Sequence, residues 1–273
     1  MAISDLLIQK YFDIVYNPTY DATVGQFQAY RTLQERCIAA CDFANGDRVL
    51  CVGAGTGNEI AYILARNPNV TIFAVDTSEK ALTIARDKAA NLGYVIHTLK
   101  MDARRLAFAE GAFDKVVSIH LMDFVPEAER ATGEILRVLR VGGQFVVTYP
   151  FDREGAGLGA SIVKDGILAN LHAHRFKAAL SQLGALLGVS AVFTPLFLRP
   201  QRRVYVKEQV TDMYLTGGAG AIMVQSDSVY VDLIVSGKKE RSGADVSQPS
   251  ATGRRVLLQP QRGRNLAQVL RVP

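Results

Sequence analysis

Three glycines stand at the end of a continuous β-rich run and directly before a helical segment. In VLCVGAGTGN they are Gly53, Gly55 and Gly57. Glycines at this place let a ligand lie against the main chain, and they bring backbone N–H groups to the carboxyl end of a strand, where open α/β sheets bind ligands. They also serve tight turning and close packing. The loop therefore indicates a cofactor site only if suitable side chains follow it.

Two aspartates follow the loop at suitable places. Asp76 ends the run VTIFAVD, and its carboxylate can accept two hydrogen bonds from ribose hydroxyls, which predicts a nucleoside with a free cis-diol. The alternative is that Asp76 caps the next helix, but Ser78 suits that position better. Asp102, in KMDA, is placed to accept from an adenine amino group. The predicted cofactor-binding residues are Gly53, Gly55, Gly57, Asp76, Thr77, Asp102 and Ala103.

A dinucleotide site would share the first two glycines and the acidic residue. It also needs a third glycine three positions after the second, and Asn58 stands there. Glu59, one residue further, would repel a pyrophosphate at the N-terminus of the helix. The sequence therefore favours a nucleoside ligand without a pyrophosphate.

The segments that must position these residues alternate between strands and helices from Arg48 to about residue 150. Unbroken Val and Ile runs between helices are typical of parallel strands covered on both faces. We predict an α/β fold with a Rossmann-like, doubly wound sheet. Residues 1–44 predict two or three short helices, residues 151–227 a largely helical insert, and residues 238–273 a basic, disordered tail.

The motifs of residues 45–150 together resemble those of the class I S-adenosylmethionine-dependent methyltransferases. VLCVGAGTG, VTIFAVDTS and KMDARRLAFAEGAFDKVVS match in order, and HLMDFVPEAERATGEILRVLRVGGQFVVTYP follows. The resemblance implies S-adenosylmethionine as cofactor and a seven-stranded sheet ending in an antiparallel hairpin, with SVYVDLIVSGKK and AVFTPLFL as its strands. It also implies an N-terminal helical lid (1–44) on a methyltransferase domain (45–237).

Within this superfamily the chain resembles the quinone-biosynthesis methyltransferases most. Some O-methylating members hold a divalent cation in a segment E-x-x-E-H-V-P, and the aligned ligand places here are His120, Asp123 and Phe124. His120 and Asp123 are the predicted catalytic residues. Either they bind Mg²⁺ or Mn²⁺, or His120 takes a proton from the acceptor while Asp123 orients it. The structural alternative is that Asp123 caps a helix and His120 only lines the pocket.

Cys51 departs from the family, which usually has an acid there that organises the glycine loop and contacts the methionine end of the cofactor. A thiol with an ordinary pKa of about 8.5 does not carry that charge reliably at neutral pH. The ammonium group is then held differently, or the cofactor is used in an unusual way. Together with Cys37 and Cys41, which form no CxxC pair, Cys51 is predicted to be a reduced core thiol.

The acceptor side of the predicted site is aromatic. Tyr11, Tyr16 and Tyr20 lie in the lid segment, where they either pack the lid or touch cofactor or acceptor. His172 and His174 point to different faces of a helix, and we expect both at the surface. An aromatic or lipophilic acceptor such as a quinone or phenol is favoured, methylated at carbon or oxygen. The alternatives are metal-assisted transfer of another group to a quinone, and a non-catalytic partner subunit.

The net charge of +5 comes from the end of the chain. Residues 238–273 hold eight basic and two acidic side chains, whereas residues 1–237 hold 23 and 24. A body without cationic excess argues against a nucleic-acid partner. The tail is either a solvated linker or an electrostatic anchor to anionic membrane or to nucleic acid. The lack of a signal-peptide pattern predicts a cytoplasmic protein, peripheral at the membrane if the tail anchors it, and the oligomeric state stays open.

Overall fold

A single sheet forms the centre of the computed structural model, which describes residues 10–24, 27–151, 167–197, 204–227, 232–242 and 257–258. Its strands are β1 (Arg48–Val52), β2 (Thr71–Asp76), β3 (His97–Lys100), β4 (Phe113–Ser118), β5 (Leu139–Pro150), β6 (Ala219–Asp227), β7 (Asp232–Lys239) and the two-residue β8 (Leu257–Leu258). Within these residues the strand order is β3-β2-β1-β4-β5-β7-β6-β8. The predicted seven-stranded, Rossmann-like α/β sheet is confirmed, and β8 adds a short strand at one edge.

The first five strands are parallel, and the strand order reverses at β1. Leu50, in the middle of β1, pairs with Phe73 of β2 on one side and with Val116 of β4 on the other. Every residue of β1 after Arg48 is buried, which explains why this run shows no polar alternation. The carboxyl end of β1 therefore lies at the switch point of the sheet, where open α/β folds bind ligands.

The last long strand, β7, lies inside the sheet and runs antiparallel to both β5 and β6. The predicted strand SVYVDLIVSGKK is confirmed over residues 232–239, which brings β7 two residues into the segment predicted as tail. The prediction that AVFTPLFL forms its partner is wrong, because residues 191–197 continue a helix. Residues 219–227 are the partner, and their closeness to β7 in the chain keeps the entropy cost of closing the hairpin small.

Helices cover both faces of the sheet. They are α1 (Asn17–Thr23), α2 (Gln28–Ala39), α3 (Asn58–Arg66), α4 (Glu79–Asn91), α5 (Ala128–Val138), α6 (Ala169–His172), α7 (Phe176–Phe197) and α8 (Lys207–Thr216), and a π-helix (Phe12–Tyr16) precedes α1. One core cluster includes Ile38 of α2 and Ile60 of α3. The other includes Ile135 of α5 and Tyr214 of α8. Packing on both faces holds the strand ends that position the site.

The short helices predicted near the N-terminus are present as the π-helix, α1 and α2. We call the π-helix and α1 together the lid. The described part of the predicted insert contains α6, α7, α8 and the strand β6. The glycine-rich start of the insert lies outside the described residues, as does most of the predicted tail. No helix in the described part of the chain is long and apolar enough to span a membrane.

The three cysteines are buried thiols, as predicted. Cys37 and Cys41 lie in and just after α2, and Cys51 lies in β1. Burial raises the pKa of each of them, that of Cys41 to about 12. All three therefore stay protonated at neutral pH.

Candidate functional site

The glycine loop leaves β1 in a backbone conformation that glycine adopts far more easily than other residues. Gly53, Gly55 and Gly57 have φ angles of 66°, 52° and 74°. A Cβ atom on Gly53 would lie 2.5 Å from the side chain of Leu121, and one on Gly57 would lie 2.8 Å from the Cβ of Ala85. These two glycines permit close packing. A Cβ atom on Gly55 would meet nothing within 4 Å, so the space at this residue is open to a ligand.

Asp76 fastens the glycine loop to the end of β2. Its carboxylate accepts hydrogen bonds from the backbone N–H groups of Gly55 and Ser78, both at 2.9 Å. Ser78 caps α4, as predicted, because its hydroxyl accepts from the N–H of Ala81. Burial raises the pKa of Asp76, and backbone hydrogen bonds, one of them from Thr77, partly offset the rise. Each carboxylate oxygen has a further lone pair with which to accept from a ribose hydroxyl.

Asp102 follows β3 and is held next to Asp76 by the main chain, because the N–H of Met101 donates to the carbonyl oxygen of Asp76 at 3.0 Å. Arg104 binds its carboxylate, with Nη2 2.6 Å from Oδ2, and this contact lowers the pKa of Asp102. Sequence reasoning missed this partner. Ala103 is buried beside the pair. An adenine amino group would share the carboxylate of Asp102 with the guanidinium.

His120 lies just after β4 with a φ of 57°, a strained conformation for a residue with a Cβ atom. Its N–H donates to the hydroxyl of Thr148 at 2.8 Å, and its Nε2 lies 2.9 Å from the carboxylate of Asp232 at the start of β7. Burial lowers the pKa of His120, but the carboxylates of Asp232 and Asp123 outweigh burial and raise it. The ring also packs beside that of Tyr30. Sequence reasoning missed the contact of His120 with Asp232.

Asp123 lies in the same region and connects it to the lid. Its carboxylate acts electrostatically on His120, and it adds to the rise that burial causes in the pKa of Tyr16. The neighbouring Phe124 packs edge-on against the rings of Phe12 and Tyr16, with centroids 5.3 and 6.4 Å apart. His120 and Asp123 therefore share one region, and Phe124 holds the lid against it.

The residues at this place do not fit the predicted Mg²⁺ or Mn²⁺ site. The Nε2 atom of His120 faces Asp232, and Phe124 has no atom that could bind a cation. Over the residues that the structure describes, no group of three or more His, Cys, Asp or Glu side chains is arranged to hold a metal ion. A role of His120 and Asp123 in proton transfer stays a prediction.

The lid is fastened to the glycine loop by a single carboxylate. Asp21 of α1 accepts hydrogen bonds from Thr56 Oγ1, Asn58 Nδ2 and Lys88 Nζ, each at 2.9 Å. Thr56 and Asn58 flank Gly57, and Lys88 belongs to α4. The lid therefore lies over the glycine loop.

The other end of the lid reaches the loop after β2. The hydroxyl of Ser78 donates to the carboxylate of Asp13 at 2.5 Å. Tyr16 is buried and lies 5.0 Å from Tyr20 between ring centroids, and Tyr11 contacts the ring of the next residue. Tyr16 and Tyr20 pack within the lid, and Tyr11 lies directly before it. A contact of these tyrosines with cofactor or acceptor stays a prediction. The exposed positions of His172 and His174 are confirmed.

Residues 50–147 match the family model described as a methyltransferase domain. We call this part of the chain, which is similar to that family model, the methyltransferase domain. The chain is 40% identical over 127 residues to phosphatidylethanolamine N-methyltransferase of Cereibacter sphaeroides, which covers 46% of this chain and 61% of that protein. It is 36% identical over 110 residues to demethylmenaquinone methyltransferase of Thermus thermophilus, with coverages of 40% and 50%. The chain thus spans less than two thirds of these relatives.

The fold of the methyltransferase domain is also found in solved structures. An S-adenosylmethionine-dependent methyltransferase of Thermotoga maritima superposes with a TM-score of 0.51 at 17% identity. The superposition covers 84% of this chain and 99% of that chain. At this identity the likeness shows the fold alone.

The methyltransferase domain holds a buried carboxylate beside the unusual Cys51. Glu59 stands in the first turn of α3 and is only 7% exposed, and burial raises its pKa to about 7. The pKa of Cys51 is raised by burial and by Glu59, with which its thiol is hydrogen bonded. The thiol therefore donates its proton, and the helix supplies the carboxylate that β1 lacks. The sequence feature that could have indicated this contact is an acidic residue directly before the apolar residues of a helical segment.

Burial of the charged Glu59 carboxylate lowers the stability of the fold as the pH approaches and passes 7. We expect Glu59→Gln to remove this pH-dependent loss. A carboxyl group with an ordinary pKa of about 4.5 and a folded-state pKa of about 7 stabilises the fold fully below pH 4.5. That contribution is lost as the pH rises through 7, by up to about 3 kcal/mol. Urea unfolding of the wild type and of Glu59→Gln between pH 5 and pH 8 measures the difference. Exposed Glu79 of α4 gives the control Glu79→Gln, and parallel profiles for wild type and Glu59→Gln would contradict the assignment.

Replacing Asp21 with alanine is expected to loosen the lid on the methyltransferase domain. Three hydrogen bonds are lost, but Asp21 is partly exposed, so we expect a change of about 1 kcal/mol, which corresponds to roughly fivefold faster amide exchange in the lid. Hydrogen-exchange mass spectrometry of residues 10–24 tests this. The variant Asp21→Asn keeps one acceptor oxygen and should fall between the two. Equal exchange in wild type and Asp21→Ala would show that aromatic packing alone holds the lid.

Proposed function

We propose that the protein transfers a methyl group from S-adenosylmethionine to a small aromatic or lipophilic acceptor. The observation that carries this proposal is the open space at Gly55 beside the carboxylate of Asp76, at the switch point of the sheet. A fold alone does not define a reaction. The proposal therefore depends on the side chains around this space.

The residues at the site fit S-adenosylmethionine. Asp76 would accept from the ribose hydroxyls, and Asp102 with Ala103 would border the adenine. The open side of Gly55 leaves room for the methionine chain. The nearby carboxylate of Glu59 suits a cationic ligand and disfavours a pyrophosphate. When bound, this cofactor supplies an electrophilic methyl group.

The chain's own residues would then position the acceptor, exclude water and accept a proton. Methyl transfer needs little beyond alignment of the nucleophile with the methyl carbon. The aromatic rings of Phe12, Tyr16 and Phe124 contact one another and would form an apolar wall between the acceptor and solvent. With a hydroxyl acceptor, neutral His120 would accept the proton as the oxygen forms its bond to the methyl group. Asp232 would orient the imidazole and stabilise its charged form.

Two classes of acceptor are compatible with this site. A quinone or phenol is the class we favour, because the region around His120 and the lid is aromatic, and one relative is named demethylmenaquinone methyltransferase. The amine of a phospholipid head group is the second class, favoured by 40% identity to a protein named phosphatidylethanolamine N-methyltransferase. Both classes are lipophilic, which suits the apolar wall.

Methyl-labelled S-adenosylmethionine and a lipid extract test the proposal. We expect label in the organic phase, and mass analysis of the product identifies a methylated quinone, phenol or aminophospholipid, or a transferred group other than methyl. The Asp76→Ala variant is the control for cofactor-dependent labelling. Cofactor binding without label transfer or S-adenosylhomocysteine release would instead support a non-catalytic partner subunit. Absence of cofactor binding would overturn the proposal as a whole.

Metal removal is a separate test of the same reaction. Because the residues near His120 do not fit a cation site, we expect EDTA to leave turnover unchanged. Loss of activity with EDTA, restored by Mg²⁺ or Mn²⁺, would show that a cation binds with acceptor oxygens as additional ligands.

A further inference from the structure

The longest helix of the described residues, α7, presents a row of apolar side chains to solvent. Phe176 is 64% exposed, Leu180 is 70% exposed, Leu183 is 43% exposed and Leu187 is 65% exposed. Their spacing of four, three and four residues places them on one face of the helix. An exposed apolar row of this kind marks a site of interaction rather than ordinary surface.

The flank of α7 next to this row is already used by the fold. The helix packs against α1 of the lid, and Ala179 is buried. The fold therefore covers the flank of α7 that holds Ala179, whereas the four side chains of the row from Phe176 to Leu187 stay exposed.

The charged residues of α7 and of the described segment before it all have the same sign. Residues 167–197 contain no Asp or Glu, and their only Lys and Arg residues are Arg175 and Lys177. Both are exposed and flank Phe176 at the start of α7, and His172 and His174 precede them, also exposed. Within this segment the start of the apolar row is therefore flanked by the two cations Arg175 and Lys177, which complement a negatively charged partner.

We propose that α7 rests on an anionic lipid surface, with the row from Phe176 to Leu187 among the acyl chains and with Arg175 and Lys177 at the phosphates. Apolar side chains on one face and cations beside them are the features of helices that lie in the membrane interface. Such contact involves no membrane-spanning helix, in agreement with the lengths and composition of the described helices. The surface adjoins the lid through α1, so it would bring the site close to lipophilic acceptors. The inference goes beyond the proposed function and does not require it.

Vesicle flotation of the full chain tests this contact without any turnover measurement. We expect binding to vesicles of phosphatidylglycerol and phosphatidylcholine and much weaker binding to phosphatidylcholine alone. Leu180→Gln with Leu187→Gln should weaken binding by about tenfold or more, since two large apolar side chains lose their buried place. Arg175→Gln with Lys177→Gln should weaken binding at low salt and reduce its salt dependence. The matched control is Leu92→Gln with Val95→Gln, two exposed apolar residues away from α7, which should bind as the wild type does.

Three results would overturn the inference. The first is a wild-type chain that does not bind anionic vesicles. The second is undiminished binding by the Leu180→Gln, Leu187→Gln variant, which would assign the contact to the basic residues 238–273 instead. The third is a wild-type dimer that the same variant converts to a monomer in analytical ultracentrifugation, which would make a second copy of the chain the occupant of this face.

Discussion

Replacing Asp76 with alanine is expected to weaken the binding of S-adenosylmethionine by about 1–3 kcal/mol, or roughly 5- to 150-fold in dissociation constant. The change removes the acceptor for the ribose hydroxyls. It also removes the group that accepts from the N–H groups of Gly55 and Ser78, so the glycine loop loses its attachment to β2. Isothermal titration calorimetry of wild type and variant measures the loss.

Two variants complete this experiment. Asp76→Asn keeps one acceptor oxygen and should lie between wild type and Asp76→Ala. Asp87→Ala removes an exposed carboxylate from the same helix that Ser78 caps, and it should bind the cofactor as the wild type does. An unchanged affinity in Asp76→Ala, with circular dichroism showing an intact fold, would remove Asp76 from the cofactor site.

Replacing His120 with alanine is expected to lower turnover on a hydroxyl acceptor by about 10²- to 10⁴-fold, the usual contribution of a general base. We also expect a loss of about 3–5 kcal/mol in the free energy of unfolding, because Asp232 would stay buried without the imidazole 2.9 Å away. Initial rates and urea unfolding measure the two effects separately. The exposed His97 provides the control His97→Ala, for which both should stay near the wild-type values.

The pH dependence distinguishes a base from a merely structural histidine. Since the pKa of His120 is raised in the folded protein, the ion pair stabilises the fold fully below about pH 6.5, and this contribution is lost as the pH rises through the raised pKa. Turnover should change in the opposite direction, because only neutral His120 accepts a proton. Asp232→Asn should move the rise in turnover to lower pH. Near-wild-type turnover in both His120→Ala and Asp123→Ala would show that the pair is structural.

Features that lie within one strand-and-helix unit could be predicted from the sequence. The glycine loop, the end of β2 at Asp76 and the cap at Ser78 follow one another over a short stretch, and local periodicity and capping chemistry determine them. Local rules were sufficient here because the interactions themselves are local.

Features that join distant parts of the chain could not be predicted. Asp232 is a polar residue in an apolar strand, which makes it noticeable, but no local pattern tells that it faces His120. AVFTPLF has the composition of a strand, yet it continues the helix α7, because a short apolar run fits a strand and a buried helix equally well. The contact of Glu59 with Cys51 lies within one strand-and-helix unit, but it was not predicted either, because it depends on how α3 folds back onto β1.

The position of β7 between β5 and β6 has a consequence for the chain during its synthesis. β5 is complete at Pro150, but the strand that pairs with it is complete only at Lys239. At about 5–20 residues per second, a ribosome needs roughly 4–18 s to make the stretch between them. For that time Val146 and Val147 stand on an unpaired edge, which is a template for pairing with other nascent chains. This strand order therefore makes the nascent chain prone to aggregate on polysomes. Slower translation would prolong the time for which the edge of β5 is unpaired.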